Sequence, residues 1–145
     1  MALTSTGSAH WEGDLSGSGT TTLETSGAAG PLDVTWKART EEHGGMTSPE
    51  ELIAAALAAC FSMSLSHALA TAGTPATGID TTATATFGQT DTGWRIISMA
   101  IDVVGSVPGL DADGFAAAAE GAKDGCPVSN ALAGNVAITV TSRLA

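Results

Sequence analysis

Across residues 7–37, Thr, Ser, Val and Trp fall in short alternating runs, broken at Gly13-Asp14, Gly17-Ser18-Gly19 and Gly27-Ala28-Ala29-Gly30-Pro31. Alternation of this kind, closed at each end by turn residues, predicts three short strands, since successive side chains of a strand face opposite ways. The third is expected over residues 32–40, which would set Lys37 and Arg39 on one face, with Glu41-Glu42-His43-Gly44-Gly45 as a loop. A different pattern then begins. Ser48-Pro49-Glu50-Glu51 offers an N-cap serine, a proline at the first helical position and an acid at the third, and Gly73 supplies a left-handed stop. A long helix over residues 49–72 follows, and because residues 52–65 are apolar almost all the way round, it is expected to be enclosed on most sides. Its small alanines would also let a second helix approach closely.

Beyond Gly78, residues 79–87 alternate apolar with Thr, residues 94–107 are rich in Ile and Val, and Gln89-Thr90-Asp91-Thr92-Gly93 lies between them, which predicts a hairpin of two long strands. Asp111 can cap a helix to about Lys123, Gly125 can end it, and Cys126-Pro127 can open a short helix to about Leu132. Residues 136–143 read as a last strand. The order β-β-β-α-β-β-α-α-β is α+β, with mostly antiparallel sheets and segregated helices around a long central buried helix. No repeat or linker interrupts residues 1–145, so a single domain is expected.

Charge narrows the partners. Fifteen acidic against five basic residues give a formal charge of -10, a field that repels phosphate backbones and anionic headgroups; neither nucleic acid nor a membrane surface is an expected partner. Residues 52–72 contain no Asp, Glu, Lys or Arg, long enough to raise the question of a bilayer span. Alanine's weak hydrophobicity, the lack of flanking cations, and Ser62, Ser64, Ser66 and His67 favour a buried soluble helix instead. The first residues lack a basic, then apolar, export signal, so a cytoplasmic location is expected, where a cysteine pair is more often catalytic or metal-binding than a structural staple.

There are two cysteines, Cys60 and Cys126. Inside an enclosed helix Cys60 would ordinarily be an inert apolar residue with a raised pKa, and it needs a nearby cation to react. Arg39 suits that task, since a guanidinium keeps its charge in a dry site; the alternative is a solvated strand residue. Glu50 either complements the helix dipole or clamps Arg39 through a bidentate pair, while Glu51 better suits the capping box. On an unbroken helix Glu50 and Cys60 are ~15 Å apart along the axis, so a shared site implies a second subunit and a two-fold dimer. Cys126 stands directly before a proline at a helix start, and local electrostatics alone marks it as the more acidic thiol. The 66 positions separating the cysteines exclude a CxxC motif or compact zinc ribbon, and His10, His43 and His67 complete no ligand pattern, so no metal is expected.

Five segments in order, Ala9-His10-Trp11-Glu12-Gly13-Asp14, Ser48-Pro49-Glu50-Glu51-Leu52-Ile53, Ala58-Ala59-Cys60-Phe61-Ser62-Met63, Ile79-Asp80-Thr81-Thr82-Ala83 and Gly125-Cys126-Pro127-Val128-Ser129, resemble the OsmC family of osmotically inducible proteins, related to the organic hydroperoxide resistance proteins. The resemblance runs over residues 7–143, and the first segment points to the OsmC branch. It implies an intertwined α+β homodimer with two interfacial sites. The implied activity is that of a thiol-dependent peroxidase, reducing organic hydroperoxides and, less efficiently, hydrogen peroxide in oxidative and osmotic stress defence. On this likeness Cys60 is the peroxidatic cysteine, Cys126 the resolving one, Glu50 the carboxylate holding the arginine, and Arg39 that arginine by its place in the third strand. Leu57 stands where relatives often carry His or Tyr.

The implied chemistry runs through a Cys60 sulfenic acid and a Cys60–Cys126 disulfide, reopened by an external dithiol such as the lipoyl group of a partner protein, with no metal, flavin or haem. Leu57, Phe61 and Met63 would line an apolar approach or simply fill the core. Two other readings stay open: a purely structural disulfide, and a binding module for an apolar ligand with incidental thiols.

Overall fold

The computed structural model describes residues 2–145. The elements run β1 Gly7–Glu12, β2 Ser18–Leu23, β3 Leu32–Val34, α1 Trp36–Thr40, α2 Pro49–Thr71, β4 Gly78–Thr90, β5 Gly93–Ser106, α3 Ala112–Gly125, α4 Pro127–Leu132 and β6 Ala137–Leu144. They form two compact units, the first ending at Leu52 and the second spanning Ile53–Ala145.

In the first unit β2 lies between β1 and β3, antiparallel to both. The third strand is shorter than its composition predicts. It stops at Val34 because Thr35 turns its hydroxyl onto the amide of Ala38 at 3.1 Å, an N-cap that starts α1 where continued strand was expected. The consequence is directional: positions two apart share a face in a strand but lie about 200° apart around a helix. Lys37 accordingly points to solvent and pairs with Glu41 and Glu42, while Arg39 turns the other way.

The long helix α2 starts as predicted, with the buried Ser48 hydroxyl accepting the Glu51 amide at 3.1 Å. It ends at Gly73, whose φ of 83° is open to glycine at no steric cost, and Thr74 donates back to the Leu69 carbonyl at 3.0 Å. By length and apolar composition α2 is capable of crossing a bilayer. Within the chain, however, its second-unit part buries a single stripe, Ala54, Leu57, Phe61, Leu65 and Leu69, at helical spacing. The opposite side, with Ala55, Ala56, Ala59, Met63 and Ala70, is exposed, so enclosure by one chain covers one face only.

That stripe meets the second sheet, β4-β5-β6. Met99, Ile101 and Val103 alternate along β5 to fill the inner face, with Phe115, Ala119 and Ala122 of α3 completing the core. Short polar tethers hold the second-unit part of α2: Ser62 donates to the Thr81 hydroxyl at 2.8 Å and Ser64 to the Ala122 carbonyl at 3.0 Å. Strand β5 pairs antiparallel with β4 and parallel with β6, because the return from β5 to β6 crosses over through α3 and α4. Close approach requires glycine at position 105, where a Cβ would sit 2.4 Å from the Phe115 ring.

Candidate active site

Two pairs of predicted residues meet, each within its own unit. In the first unit Arg39 binds Glu50. Its Nε lies 3.2 and 3.1 Å from the two carboxylate oxygens and its Nη2 2.5 Å from Oε1. The Glu50 side chain is 8% exposed and that of Arg39 27%, so the carboxylate is the buried member and the guanidinium the one that reaches outward. The ring of Trp36 lies beneath the guanidinium, 5.2 Å from centroid to Cζ, and adds a cation–π contact. Glu51 is otherwise engaged, accepting from the Thr47 hydroxyl at 2.6 Å, which leaves Glu50 as the arginine's partner. Beside this pair lies a cavity of about 350 Å³, lined by Trp11, Leu15, Val34, Thr35, Trp36, Arg39 and Pro49, with Arg39 its one charged wall residue.

In the second unit Cys60, half-buried on α2, meets Cys126, fully buried at the turn before α4; both are free thiols. Cys126 is the N-cap of α4, its sulfur accepting the Ser129 amide at 3.5 Å. Burial pushes the Cys60 thiol up, the more so because its S–H is turned to Cys126, and the Val128 amide offsets this in part. Burial also works against charge on Cys126, but the Cys60 S–H, the Ser129 amide and hydroxyl and the Val128 amide together outweigh it and hold that thiol below its ordinary value. The first proton thus leaves the Cys126 side of the pair. Ser129 itself is buried, and its hydroxyl lies near enough to the Cys126 sulfur to favour its charge but forms no aligned hydrogen bond, a situation that for a wholly unpaired group costs about 1–3 kcal/mol.

Comparison with known proteins now decides the family. The model of the OsmC-like protein family matches residues 42–141. Over 139 residues the chain is 43% identical to peroxiredoxin OsmC of Escherichia coli K12, covering 95% of this chain and 96% of that one. The chain belongs to the OsmC family. Solved structures of organic hydroperoxide resistance proteins agree with this. That from Legionella pneumophila is 27% identical with a TM-score of 0.72, covering 98% of both chains. That from Elizabethkingia anophelis is 25% identical with a TM-score of 0.74, covering 99% of this chain and all of the other.

For this OsmC-family chain, sequence reasoning named four residues that the fold assembles into two pairs, Arg39 with Glu50 and Cys60 with Cys126. The route for Arg39 needs correcting, since it is carried by α1 and not by the third strand. Leu57 and Phe61 are fully buried in the core, and Met63 is 71% exposed on the outer face of α2. Three side chains were passed over. Trp11 lies within a quoted segment and Trp36 within the predicted third strand, but neither carries a titratable group to draw attention, and Ser129 is one more small polar residue until its burial beside Cys126 is seen.

Proposed function

We propose that Cys60 is the peroxidatic cysteine and Cys126 the resolving one, in a chain that works as a single peroxidase domain. The observation that carries this reading is the meeting of two free thiols from positions 66 apart, one reachable and one fully buried. Electrostatics within the chain favours a thiolate at Cys126, but access decides the order: a peroxide reaches Cys60 and not Cys126. Cys60 therefore needs a cation, and Arg39, clamped by Glu50, is the group suited to it. Ten residues of unbroken α2 separate Glu50 from Cys60 by ~15 Å of rise, so Arg39 and Glu50 reach Cys60 from a second copy. The exposed face of α2, with Ala55, Ala56, Ala59, Met63 and Ala70 and with Ser66 and His67 towards its end, is where that copy packs.

The chain is a cysteine-based peroxidase. The Cys60 thiolate attacks the outer oxygen of a hydroperoxide, the S–O bond forming as the O–O bond breaks, and the alkoxide leaves with a proton as an alcohol. Arg39 stabilises charge building on the peroxide oxygens. Organic hydroperoxides are the preferred substrates and hydrogen peroxide a poorer one. Their apolar groups are received by the tryptophan-lined cavity beside Arg39, with Leu57 and Phe61 shaping the turn of α2 that carries Cys60 and Met63 adding contact at its surface. Cys126 then closes a disulfide, which an external dithiol, such as the lipoyl group of a partner protein, reopens. The setting is the reducing cytoplasm, in defence against oxidative and osmotic stress.

The test is turnover of cumene hydroperoxide with dihydrolipoamide by the wild type and Cys60→Ser. Turnover by the wild type and its loss in the variant is the expected result. Full activity in Cys60→Ser would overturn the reading in favour of incidental thiols on an apolar-ligand module. A wild-type protein inert towards hydroperoxide would favour a structural disulfide.

A further inference from the structure

The buried hydroxyl of Ser129 is the one polar side-chain atom of this kind among the described residues that ends without a hydrogen-bond partner. It is 3% exposed, stands one helical turn after Cys126, and its own backbone amide already points at the Cys126 sulfur, 3.5 Å away. A side chain at the third position of a helix reaches back towards its N-cap. Here the N-cap amide is already bonded to the Lys123 carbonyl at 3.3 Å, leaving the N-cap sulfur as the acceptor within reach. In the resting pair the Cys60 S–H is the foremost donor to that sulfur, ahead of the Ser129 amide and the unaligned Ser129 hydroxyl. Once Cys60 is a sulfenic acid, that S–H no longer exists.

We infer that the Ser129 hydroxyl then turns onto the Cys126 sulfur and holds it as the thiolate that resolves the sulfenic acid. The inference rests on Cys126 being the resolving thiol. In the step, the Cys126 thiolate attacks the Cys60 sulfur, an S–S bond forms, the S–O bond breaks and hydroxide departs, taking a proton from solvent to become water; the sulfenic sulfur is reduced and Cys126 oxidised. Ser129 replaces the donor that oxidation removed from Cys60 and keeps its own proton throughout. When a dithiol later attacks the disulfide at Cys60, the same hydroxyl receives Cys126 as the leaving thiolate.

Ser129→Ala tests this. Losing a hydrogen bond to a charged sulfur lowers the thiolate fraction about ten-fold or more, while the higher pKa makes the remaining thiolate more nucleophilic, so disulfide closure should slow roughly three- to ten-fold. Rapid-mixing measurement with cumene hydroperoxide separates two rates: oxidation of Cys60, which should be unchanged, and closure, which should be slower. More Cys60 sulfinic acid should accumulate in mass spectra at equal peroxide. Because alanine removes an unpaired buried hydroxyl, the reduced variant should fold at least as stably as the wild type. Closure at the wild-type rate, or both rates falling together, overturns the inference. Activity surviving in Cys60→Ser overturns the underlying reading instead.

Discussion

Removing Arg39 should cost more stability than removing Glu50, and removing both should cost less than removing Arg39 alone. The asymmetry follows from burial, since the Glu50 side chain is 8% exposed and that of Arg39 27%. Arg39→Met strands a carboxylate away from water after stripping its contacts from Nε and Nη2. Uncompensated buried charges cost about 3–5 kcal/mol, and partial access to water places this one near the lower end, about 3 kcal/mol. Glu50→Met leaves the more exposed partner, which can hydrate, and forfeits a favourable acid in the first turn of α2; about 1.5 kcal/mol is expected. The double variant leaves no stranded charge and should be less destabilised than Arg39→Met by about 1 kcal/mol or more. Urea unfolding at one fixed protomer concentration measures all four proteins, which keeps any association term constant. A double variant less stable than Arg39→Met would refute the assignment of Glu50 as the buried, dependent partner.

Other consequences are as direct. Burial and Cys126 raise the Cys60 thiol within the chain, so its reactivity near neutral pH depends on an added cation. In Arg39→Met the rise of Cys60 alkylation with pH, followed with iodoacetamide, should move to higher pH, and an unchanged profile would remove Arg39 from the site. Thr35→Val deletes the cap of α1 and should lower stability by about 1 kcal/mol in the same unfolding assay. Gly105→Ala forces a Cβ to 2.4 Å from the Phe115 ring, and overpacking of this kind costs about 1–3 kcal/mol; a thermal midpoint equal to the wild type would show that Phe115 yields freely.

What the sequence disclosed tracks the range over which its signals act. Local signals carried far: Ser48-Pro49 and Gly73 bounded α2, Asp111 and Cys126-Pro127 opened α3 and α4, and alternation placed the β4–β5 hairpin to within a few residues. Helix α1 escaped because five residues hold too little periodicity to register, and Trp, Thr and the neighbouring Val34 suit strands equally well. The only clue was the Thr35 cap. The parallel neighbour of β5 was also hidden, since alternation reveals which face is buried and not which strand lies alongside. Chemistry behaved likewise: each cysteine was visible, but the contact between them depends on α2, α3 and the crossover to β6 acting together. The orphan hydroxyl of Ser129 exists only in three dimensions.

The parallel crossover has a bearing on biosynthesis. Cys126 and β6 leave the ribosome after Cys60, which emerges 66 residues ahead of Cys126. The parallel neighbour of β5 is therefore absent while α2 is already outside. At a synthesis rate of about 5–20 residues per second, several seconds pass in which the nascent protein displays Cys60 without Cys126. Oxidant arriving in that interval meets a thiol unable to close a disulfide within its own chain, so newborn molecules are the ones most open to irreversible damage.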